Sequence, residues 1–243
     1  MLKSALKWDS NHYSVFRGCT NLTSLTIGEK VTTIPFSAFC GCSGLTSVTF
    51  NAENCTNMSA PFRDCTNLTS LTIGEKVTTI PNSAFDGCSG LTSVTIPNSV
   101  TTIGGVAFYG CSGLTSVVVD KNNGTYDSRN NCNAIIETST NKLIVGCKNT
   151  IIPNSVTSIG GYGAFAYCSG LTSVTIPNSV TSIGKYAFYK CSGLTKLVSL
   201  AVEPPICGEG AFSNVDKTSC KLLVPEESIN KYKTADQWKE FLN

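Results

Sequence analysis

The 243-residue chain has few charged residues, a single histidine and no long apolar segment. Charged residues make up 14% of the sequence and the formal net charge is only +2, so there is no basic field of the kind that attracts nucleic acid. No apolar run approaches the roughly 18 residues that a transmembrane helix needs. Residues 1–8 also lack the apolar core of a secretory leader. We expect no nucleic-acid partner and no transmembrane segment in this chain.

The groupings that catalysis, metal binding or cofactor binding require are missing as well. A Ser-His-Asp or Cys-His nucleophile would depend on His12, which we interpret as a surface residue. Acidic residues do not recur at matching positions, as a general acid–base pair would require. Cys40 and Cys42 are close in sequence but have no companion ligands. We predict no enzyme activity, no catalytic residue, no metal and no cofactor.

The main feature of the sequence is a period of 23 residues. A cysteine recurs with a leucine three residues after it and a phenylalanine three residues before it. The cysteines are Cys19, Cys42, Cys65, Cys88, Cys111, Cys168 and Cys191; the leucines are Leu22, Leu45, Leu68, Leu91, Leu114, Leu171 and Leu194; the phenylalanines are Phe16, Phe39, Phe62, Phe85, Phe108, Phe165 and Phe188. A fixed period of this length indicates a solenoid, in which each unit buries its apolar edge against the next.

One unit, residues 88–110, shows how each coil is built. Leu91, Val94 and Ile96 are apolar, and the alternation over residues 94–96 predicts a short strand with one buried face. A Pro-Asn-Ser turn follows, and then a second short extended piece. The segment around Ala107 is too short for a full helix, and we expect a single helical or 3₁₀ turn there.

The pattern fails in three places, and it divides the chain. We predict one solenoid domain over residues 1–243, with an N-terminal cap at 1–18, repeats at 19–200 and a capping unit at 201–243. Residues 126–147 contain two β-prone runs around a polar turn, which predicts a hairpin insertion that projects from the stack. Residues 51–58 form a degenerate stretch. The tail predicts a capping helix, with apolar contacts from Ile229, Tyr232, Trp238 and Phe241.

The cysteines have more than one interpretation. As ladder residues, the periodic thiols act as small apolar groups in the core, and this interpretation is favoured over disulfides between neighbouring coils, whose side chains would point in parallel. Two pairs outside the ladder, Cys132–Cys147 and Cys207–Cys220, remain candidates for disulfides.

The repeat motif resembles the BspA-like leucine-rich repeat family, described from bacteria such as Bacteroides. The stretch from Ile152 to Ile176 matches the family pattern apart from one extra residue, and the resemblance covers roughly residues 16–200. It implies a β-rich, horseshoe-like leucine-rich repeat solenoid, a right-handed stack of about eight to nine coils. It also implies a location at the cell surface or in the secreted fraction, and adhesion to host proteins or cells. A cytoplasmic location is the alternative, because no leader is seen in this chain.

Two sets of outward side chains are candidate binding residues. The first is a face of strand hydroxyls: Ser47, Thr49, Ser70, Thr72, Ser93, Thr95, Ser173 and Thr175. The second is a set of aromatic anchors: Tyr109, Tyr126, Tyr162 and Tyr186. We predict a non-enzymatic binding or adhesion module for a protein or glycan ligand, with the host extracellular matrix among the candidate sources. The alternatives are hydroxyls that only keep the face soluble, tyrosines that only pack, and a structural spacer without a specific ligand.

Overall fold

A computed structural model describes residues 14, 16–53, 55 and 59–241. It divides into two compact units, Met1–Tyr126 and Asp127–Asn243. His12, most of the predicted N-terminal cap and residues 54 and 56–58 of the degenerate stretch lie outside the described residues. The predictions made for them stay predictions.

Unit 1 contains seven short strands in its described part. They are β1 (Ser24–Ile27), β2 (Ser47–Phe50), β3 (Ser70–Ile73), β4 (Thr79–Ile80), β5 (Ser93–Ile96), β6 (Thr102–Ile103) and β7 (Ser116–Val119). Strands β1, β2 and β3 pair in parallel with a shift of 23 residues, as do β4 with β6 and β5 with β7. Each 23-residue repeat is therefore one coil, and the predicted solenoid is confirmed.

The core of unit 1 is made of stacked identical positions. Leu45, Leu68 and Leu91 are fully buried, as are most inward residues of the strands. The phenylalanine rings stack face to face from Phe16 through Phe108, with centroids 5.4–5.7 Å apart. Since no single coil can bury these side chains alone, the stack of neighbouring coils supplies the stability.

The segment between the second extended piece and the ladder cysteine is a run of turns rather than a helix. It has hydrogen bonds over three residues, as a 3₁₀ turn would, for example from the Tyr109 amide to the Val106 carbonyl. However, Val106 and Gly110 have φ values of 53° and 70°, and these left-handed residues prevent helical continuation. The predicted single helical or 3₁₀ turn is therefore present as one turn with 3₁₀-type hydrogen bonds, and the position before each ladder cysteine is left-handed in every described coil that has one.

The ladder cysteines are core residues, as predicted. In unit 1, Cys42, Cys65, Cys88 and Cys111 are buried, and each Sγ–H donates to the carbonyl of the phenylalanine one coil earlier, at 3.0–3.2 Å. This hydrogen bond ties adjacent coils together beside the backbone ladder. All thirteen cysteines are free thiols, so neither ladder disulfides nor the two candidate pairs outside the ladder are formed.

Unit 2 combines regular coils with a hairpin. Strand β8 (Tyr126–Asp127) spans the division between the units. Unit 2 then contains β9 (Ala134–Glu137), β10 (Lys142–Gly146), β11 (Ser158–Ile159), β12 (Ser173–Ile176), β13 (Ser182–Ile183), β14 (Lys196–Ser199), β15 (Ile206–Cys207) and β16 (Lys221–Leu223). Strands β12, β14 and β16 form one parallel sheet, and β10, β11, β13 and β15 are parallel neighbours in another.

The hairpin exists but does not project, which corrects the prediction. Strand β9 pairs antiparallel with β10, and β10 pairs in parallel with β11. Ile135, Ile136 and Leu143 are fully buried, and Ile136 and Leu143 are part of the hydrophobic core of unit 2. Arg129 fixes the segment further, with a bidentate ion pair to Asp127 and a hydrogen bond to the Asn141 side chain.

The C-terminal tail contains only one short helix among the described residues. Residues Glu226–Ser228 form a 3₁₀ turn, and α1 (Ile229–Tyr232) is a single turn long. Trp238 is buried against Phe212 and Tyr232, and its Nε1–H donates to the Pro205 carbonyl at 2.8 Å. Tyr232, Trp238 and Phe241 are buried, which confirms their predicted apolar contacts, whereas Ile229 is 41% exposed and lies at the edge of this cluster.

Candidate binding site

The outward residues of the strands form aligned rows, which we call the strand face. In unit 1, Ser47 and Ser70 lie next to each other across β2 and β3, as do Thr49 and Thr72. Ser93 heads the same kind of row in β5. The rows arise because side chains alternate along a strand and the parallel register repeats every 23 residues. The structure therefore contains the predicted rows of aligned hydroxyl side chains. Their role in binding stays a prediction.

The protein does not use the hydroxyls of the strand face for its own hydrogen bonds. Within the described residues, the side chains of Ser70, Thr72, Ser93 and Thr95 make no hydrogen bond, and all four residues are exposed. The threonine just before a strand differs in several coils: the Oγ1 hydroxyls of Thr46, Thr69 and Thr115 each donate to a backbone carbonyl of the previous coil. The fold therefore uses one row of threonines for its own hydrogen bonds and leaves the strand-face rows open to solvent or ligand.

In unit 2 the strand face changes character. Ser173 and Thr175 keep the hydroxyl pattern in β12, but the next strands place Lys196 beside Lys221 in the serine row. In the threonine row, Val198 follows Thr175 in β14. Neither lysine is in an ion pair with a described residue. The strand face of unit 2 is thus more basic and more apolar than that of unit 1.

The four predicted aromatic anchors occupy different environments. Tyr162 is 66% exposed, while Tyr109 and Tyr186 are half-buried. Tyr126 is only 5% exposed, and its Oη accepts a hydrogen bond from the Ile103 amide at 3.1 Å. Tyr126 is a core residue that completes the backbone hydrogen bonding of a neighbouring strand, so its prediction as an exposed anchor is wrong.

A cluster of tyrosines and lysines lies on the turns of unit 2. We call Tyr167, Lys185, Tyr186, Tyr189 and Lys190 the tyrosine–lysine cluster. The rings of Tyr167 and Tyr189 meet edge to face at 5.5 Å, and so do those of Tyr186 and Tyr189. The Lys190 ammonium lies 4.9 Å from the Tyr167 ring centre and 5.4 Å from that of Tyr189. Such contacts are worth about 0.5–1 kcal/mol each when exposed.

The cluster exists because unit 2 departs from the repeat at one backbone position. The residue before the ladder cysteine is Gly41, Gly87 or Gly110 in three coils of unit 1, but Tyr167 and Lys190 in unit 2, with φ values of 61° and 56°. A left-handed conformation costs an L-residue about 1–2 kcal/mol relative to its usual regions. Of this cluster, Tyr186 is among the predicted anchors, and Lys190 was missed, although a lysine where other coils have glycine was a visible signal.

The two lysines of the cluster differ in their partners. Lys185 Nζ is 2.6 Å from Glu209 Oε2, and this ion pair lowers the pKa of the Glu209 carboxyl. Lys190 is in no ion pair with a described residue, and its Nζ lies 3.5 Å from Tyr167 Oη. The hydrogen bond to Tyr167 raises the pKa of Lys190, so this side chain stays cationic and offers its remaining donors to solvent.

The thiols of the ladder cysteines have raised pKa values and are therefore weakly reactive at neutral pH. Burial raises the pKa of Cys65 to about 12 and that of Cys168 to about 12, and burial also raises the pKa of Cys88 and Cys191. Because the thiolate is the nucleophile and the metal ligand, these groups are protonated at neutral pH. In the described part of the chain, no three His, Cys, Asp or Glu side chains are arranged to hold a metal ion.

Unit 2 also contains an apolar cavity of about 560 Å³ near its C-terminal tail. Its walls include Leu222, Val224, Tyr232, Trp238 and Phe241.

Over the ranges that the structure describes, no helix is both long and apolar enough to cross a membrane.

Comparison with known proteins identifies the repeat and the fold. The family model described as a BspA type leucine rich repeat region matches in six copies, over residues 11–136 and 134–234. A leucine-rich repeat protein from Eubacterium ventriosum superposes with a TM-score of 0.52 at 24% identity, with 87% of this chain and 71% of that one covered. The pneumococcal vaccine antigen PcpA gives 0.56 at 17% identity, with 84% and 62% covered, so the chain spans less than two thirds of PcpA. A leucine rich cell surface protein from Faecalibacterium prausnitzii gives 0.49 at 23% identity, with 87% and 81% covered. No match was found among curated proteins.

Proposed function

Because the chain belongs to the BspA-type leucine-rich repeat family, we propose that it is a non-enzymatic binding module that recognises a protein or glycan ligand through its strand face. The ligand class includes proteins of the host extracellular matrix. The proposed location is the cell surface or the secreted fraction, which the family resemblance implies. In unit 1 the contact surface is formed by the aligned residues Ser47, Thr49, Ser70 and Thr72 with their counterparts in β5, and unit 2 has a separate strand face that begins at Ser173 and Thr175.

The observation that carries the proposal is the set of free hydroxyls in register. Thr72 and Thr95 are exposed and make no hydrogen bond to a described residue, whereas the neighbouring Thr69 hydroxyl is satisfied by the backbone. A repeated row of open donors and acceptors suits a ligand with its own repeat, since many weak contacts add up when they are made simultaneously. Small hydroxyl side chains also lose little conformational entropy on binding.

A spacer without a specific ligand is the second candidate. It is favoured by the composition of the same rows in unit 1, where the strand face offers none of the tyrosine, tryptophan or arginine side chains that dominate most binding energies. Val118 interrupts the threonine row in β7. In this alternative, the hydroxyls serve only to keep an extended β-surface soluble.

Binding of the intact chain to arrays of matrix proteins and glycans separates the two candidates. We expect at least one class of ligand to be retained, and we expect Thr72→Lys and Thr95→Lys to weaken that binding severalfold because each places a long cation in the row. Ser89→Lys adds the same charge at an exposed turn away from the strand face and should leave binding unchanged. An array without any bound ligand, or equal losses from all three variants, would favour the spacer.

A further inference from the structure

At the position before the ladder cysteine, the tyrosine–lysine cluster carries a conformational cost that Asp64 shares in unit 1 and that the glycines of the other unit 1 coils avoid. The position before the ladder cysteine is glycine in most coils of unit 1, where a left-handed φ is free of steric penalty. Unit 2 places Tyr167 and Lys190 there, and these two side chains contact each other. Non-glycine residues held in left-handed conformations concentrate at functional sites. The cost is therefore a reason to look for a ligand at this surface.

The cluster has a cation that the protein does not neutralise. Lys185 is paired with Glu209 at 2.6 Å, but Lys190 has only the rings and hydroxyl of tyrosines around it among the described residues. A lysine ammonium has three donors, and the hydroxyls of Tyr167 and Tyr189 engage at most two of them. A carboxylate approaching from solvent would find a donor available and a charge that no carboxylate of the described residues neutralises.

The ring geometry favours a polypeptide over a polysaccharide. A sugar ring stacks on an open, flat aromatic face, but Tyr167 and Tyr189 are crossed at 80° and Lys190 lies over both of their faces. Tyr186 is tilted by 62° to Tyr189. What the cluster presents is ring edges and hydroxyls beside a cation, and such amphipathic tyrosine surfaces are typical of protein contacts.

We infer that the tyrosine–lysine cluster docks an acidic segment of a partner protein, with Lys190 receiving a carboxylate and Tyr167, Tyr186 and Tyr189 receiving the adjoining apolar or aromatic side chain. The inference rests on the proposed function only in treating the chain as a binding module, because it uses a surface on the turns rather than the strand face. Lys196 and Lys221 lie on the strand face and are not part of this contact.

The test uses the full chain and a defined probe, an acidic copolymer of glutamate and tyrosine, with polyglutamate and the acidic polysaccharide heparin in parallel. We expect the copolymer to bind more tightly than polyglutamate, with an affinity that falls as salt is raised. Lys190→Gly and Tyr167→Gly should each weaken binding of the copolymer by roughly three- to tenfold, which corresponds to a small number of lost contacts. Lys190→Arg keeps the charge and should retain most of the binding.

Two controls distinguish docking from net charge and from misfolding. Lys121→Ala removes one exposed cation from unit 1 and should bind the copolymer as the parent chain does. Lys190→Gly and Tyr167→Gly should have melting temperatures at or above that of the parent, since each relieves a left-handed residue. Weaker binding together with an undiminished melting temperature is a result that a merely structural role would not give.

Other results would overturn the inference. Equal binding of the copolymer by the parent and by Lys190→Gly would remove the cluster from the contact, and so would binding of heparin without binding of the copolymer. If Thr72→Lys and Thr95→Lys abolish binding to an array ligand while the copolymer fails to bind, the strand face functions and this inference alone fails. If the copolymer binds through Lys190 while the arrays retain nothing, the proposed strand-face function fails and the docking site stands.

Discussion

Both units stack phenylalanine rings from coil to coil, but the residues at the ends of the two phenylalanine ladders differ. In unit 1, the phenylalanine ladder is uninterrupted over its described coils, and Phe85 lies between Phe62 and Phe108 at 5.5 and 5.6 Å. In unit 2, the ladder restarts at Phe165 after the hairpin and ends where Phe212 meets Trp238. Stacking thus tolerates a changed neighbour on either side, provided that the new neighbour fills the space beside the ring.

The units differ more at the surface than in the core. Before the ladder cysteine, unit 1 has mostly glycine, whereas unit 2 has Tyr167 and Lys190; Asn214 occupies the matching position before Val215. Glycine gives the least costly left-handed turn but presents no side chain. In unit 2, non-glycine residues at this position have a strained, left-handed backbone conformation, and their side chains form an aromatic and cationic surface. We therefore expect unit 1 to be built for regularity, and unit 2 to carry a side-chain-specific contact.

The largest expected effect tests whether the two ladders are equivalent. Phe85→Ala in unit 1 and Phe188→Ala in unit 2 each remove a buried ring between two stacked neighbours. Each should lower the free energy of unfolding by about 3–5 kcal/mol, as measured by urea denaturation. Hydrogen exchange should accelerate most in the coils next to the lost ring. A difference of more than about 2 kcal/mol between the variants would break the equivalence of the ladders.

The second-largest expected loss of stability is at Gly146, which lies beside Phe165, where the phenylalanine ladder of unit 2 begins. Gly146 lies at the end of β10, and a Cβ added there would come within 2.2 Å of Phe165 Cε1. Gly146→Ala should therefore destabilise the protein by about 1–3 kcal/mol through overpacking. Gly124→Ala is the matched control, since a Cβ at Gly124 meets nothing within 4 Å. Thermal unfolding of both variants measures the difference, and equal melting temperatures would mean that the Phe165 ring moves aside without cost.

These two sites also show how far the sequence predicts the fold. The period places Phe85 and Phe188 in the core without any structure, because one apolar residue per coil at constant spacing must stack. The packing of Gly146 against Phe165 is not predictable, since the hairpin lies outside the period and its register depends on pairing with β11. The burial of Tyr126 was missed for the same reason: the residue lies where the period is interrupted, and its Oη accepts from the Ile103 amide one coil earlier in the chain.

The candidate sites divide in the same way. The strand-face rows could be predicted because alternation within a strand and the 23-residue register determine them together. The tyrosine–lysine cluster could not be assembled from the sequence, since it depends on the directions that left-handed residues give to Tyr167 and Lys190. A local departure from a repeat marks such a position but does not say which other side chains it will meet.

Exchanging glycine and tyrosine at the left-handed position before the ladder cysteine should change stability less than the core variants do. Gly110→Tyr places a tyrosine at φ 70° and should cost about 1–2 kcal/mol. Tyr167→Gly removes the same strain but adds the entropy of an unfolded glycine, so it should stabilise by no more than about 1 kcal/mol. Asn214→Gly is the control and should be nearly neutral, because asparagine tolerates the left-handed region. Opposite signs for the first two variants in denaturant unfolding would support the comparison, and a loss in both would contradict it.

The smallest expected effect concerns the thiols, for which the two units should behave alike. Burial raises the pKa of Cys65 in unit 1 and of Cys168 in unit 2 to about 12. Because the folded pKa lies above the ordinary value of 9.0, the associated stability is fully present below about pH 9 and is lost as the pH rises towards 12. Between pH 7 and 8 the stability should hardly change. Alkylation by iodoacetamide, followed by mass spectrometry, should label the more exposed Cys19 before any buried ladder cysteine. Rapid labelling of Cys168 but not of Cys65 would show that unit 2 opens more readily, and that its departures from the repeat weaken the core as well as altering the surface.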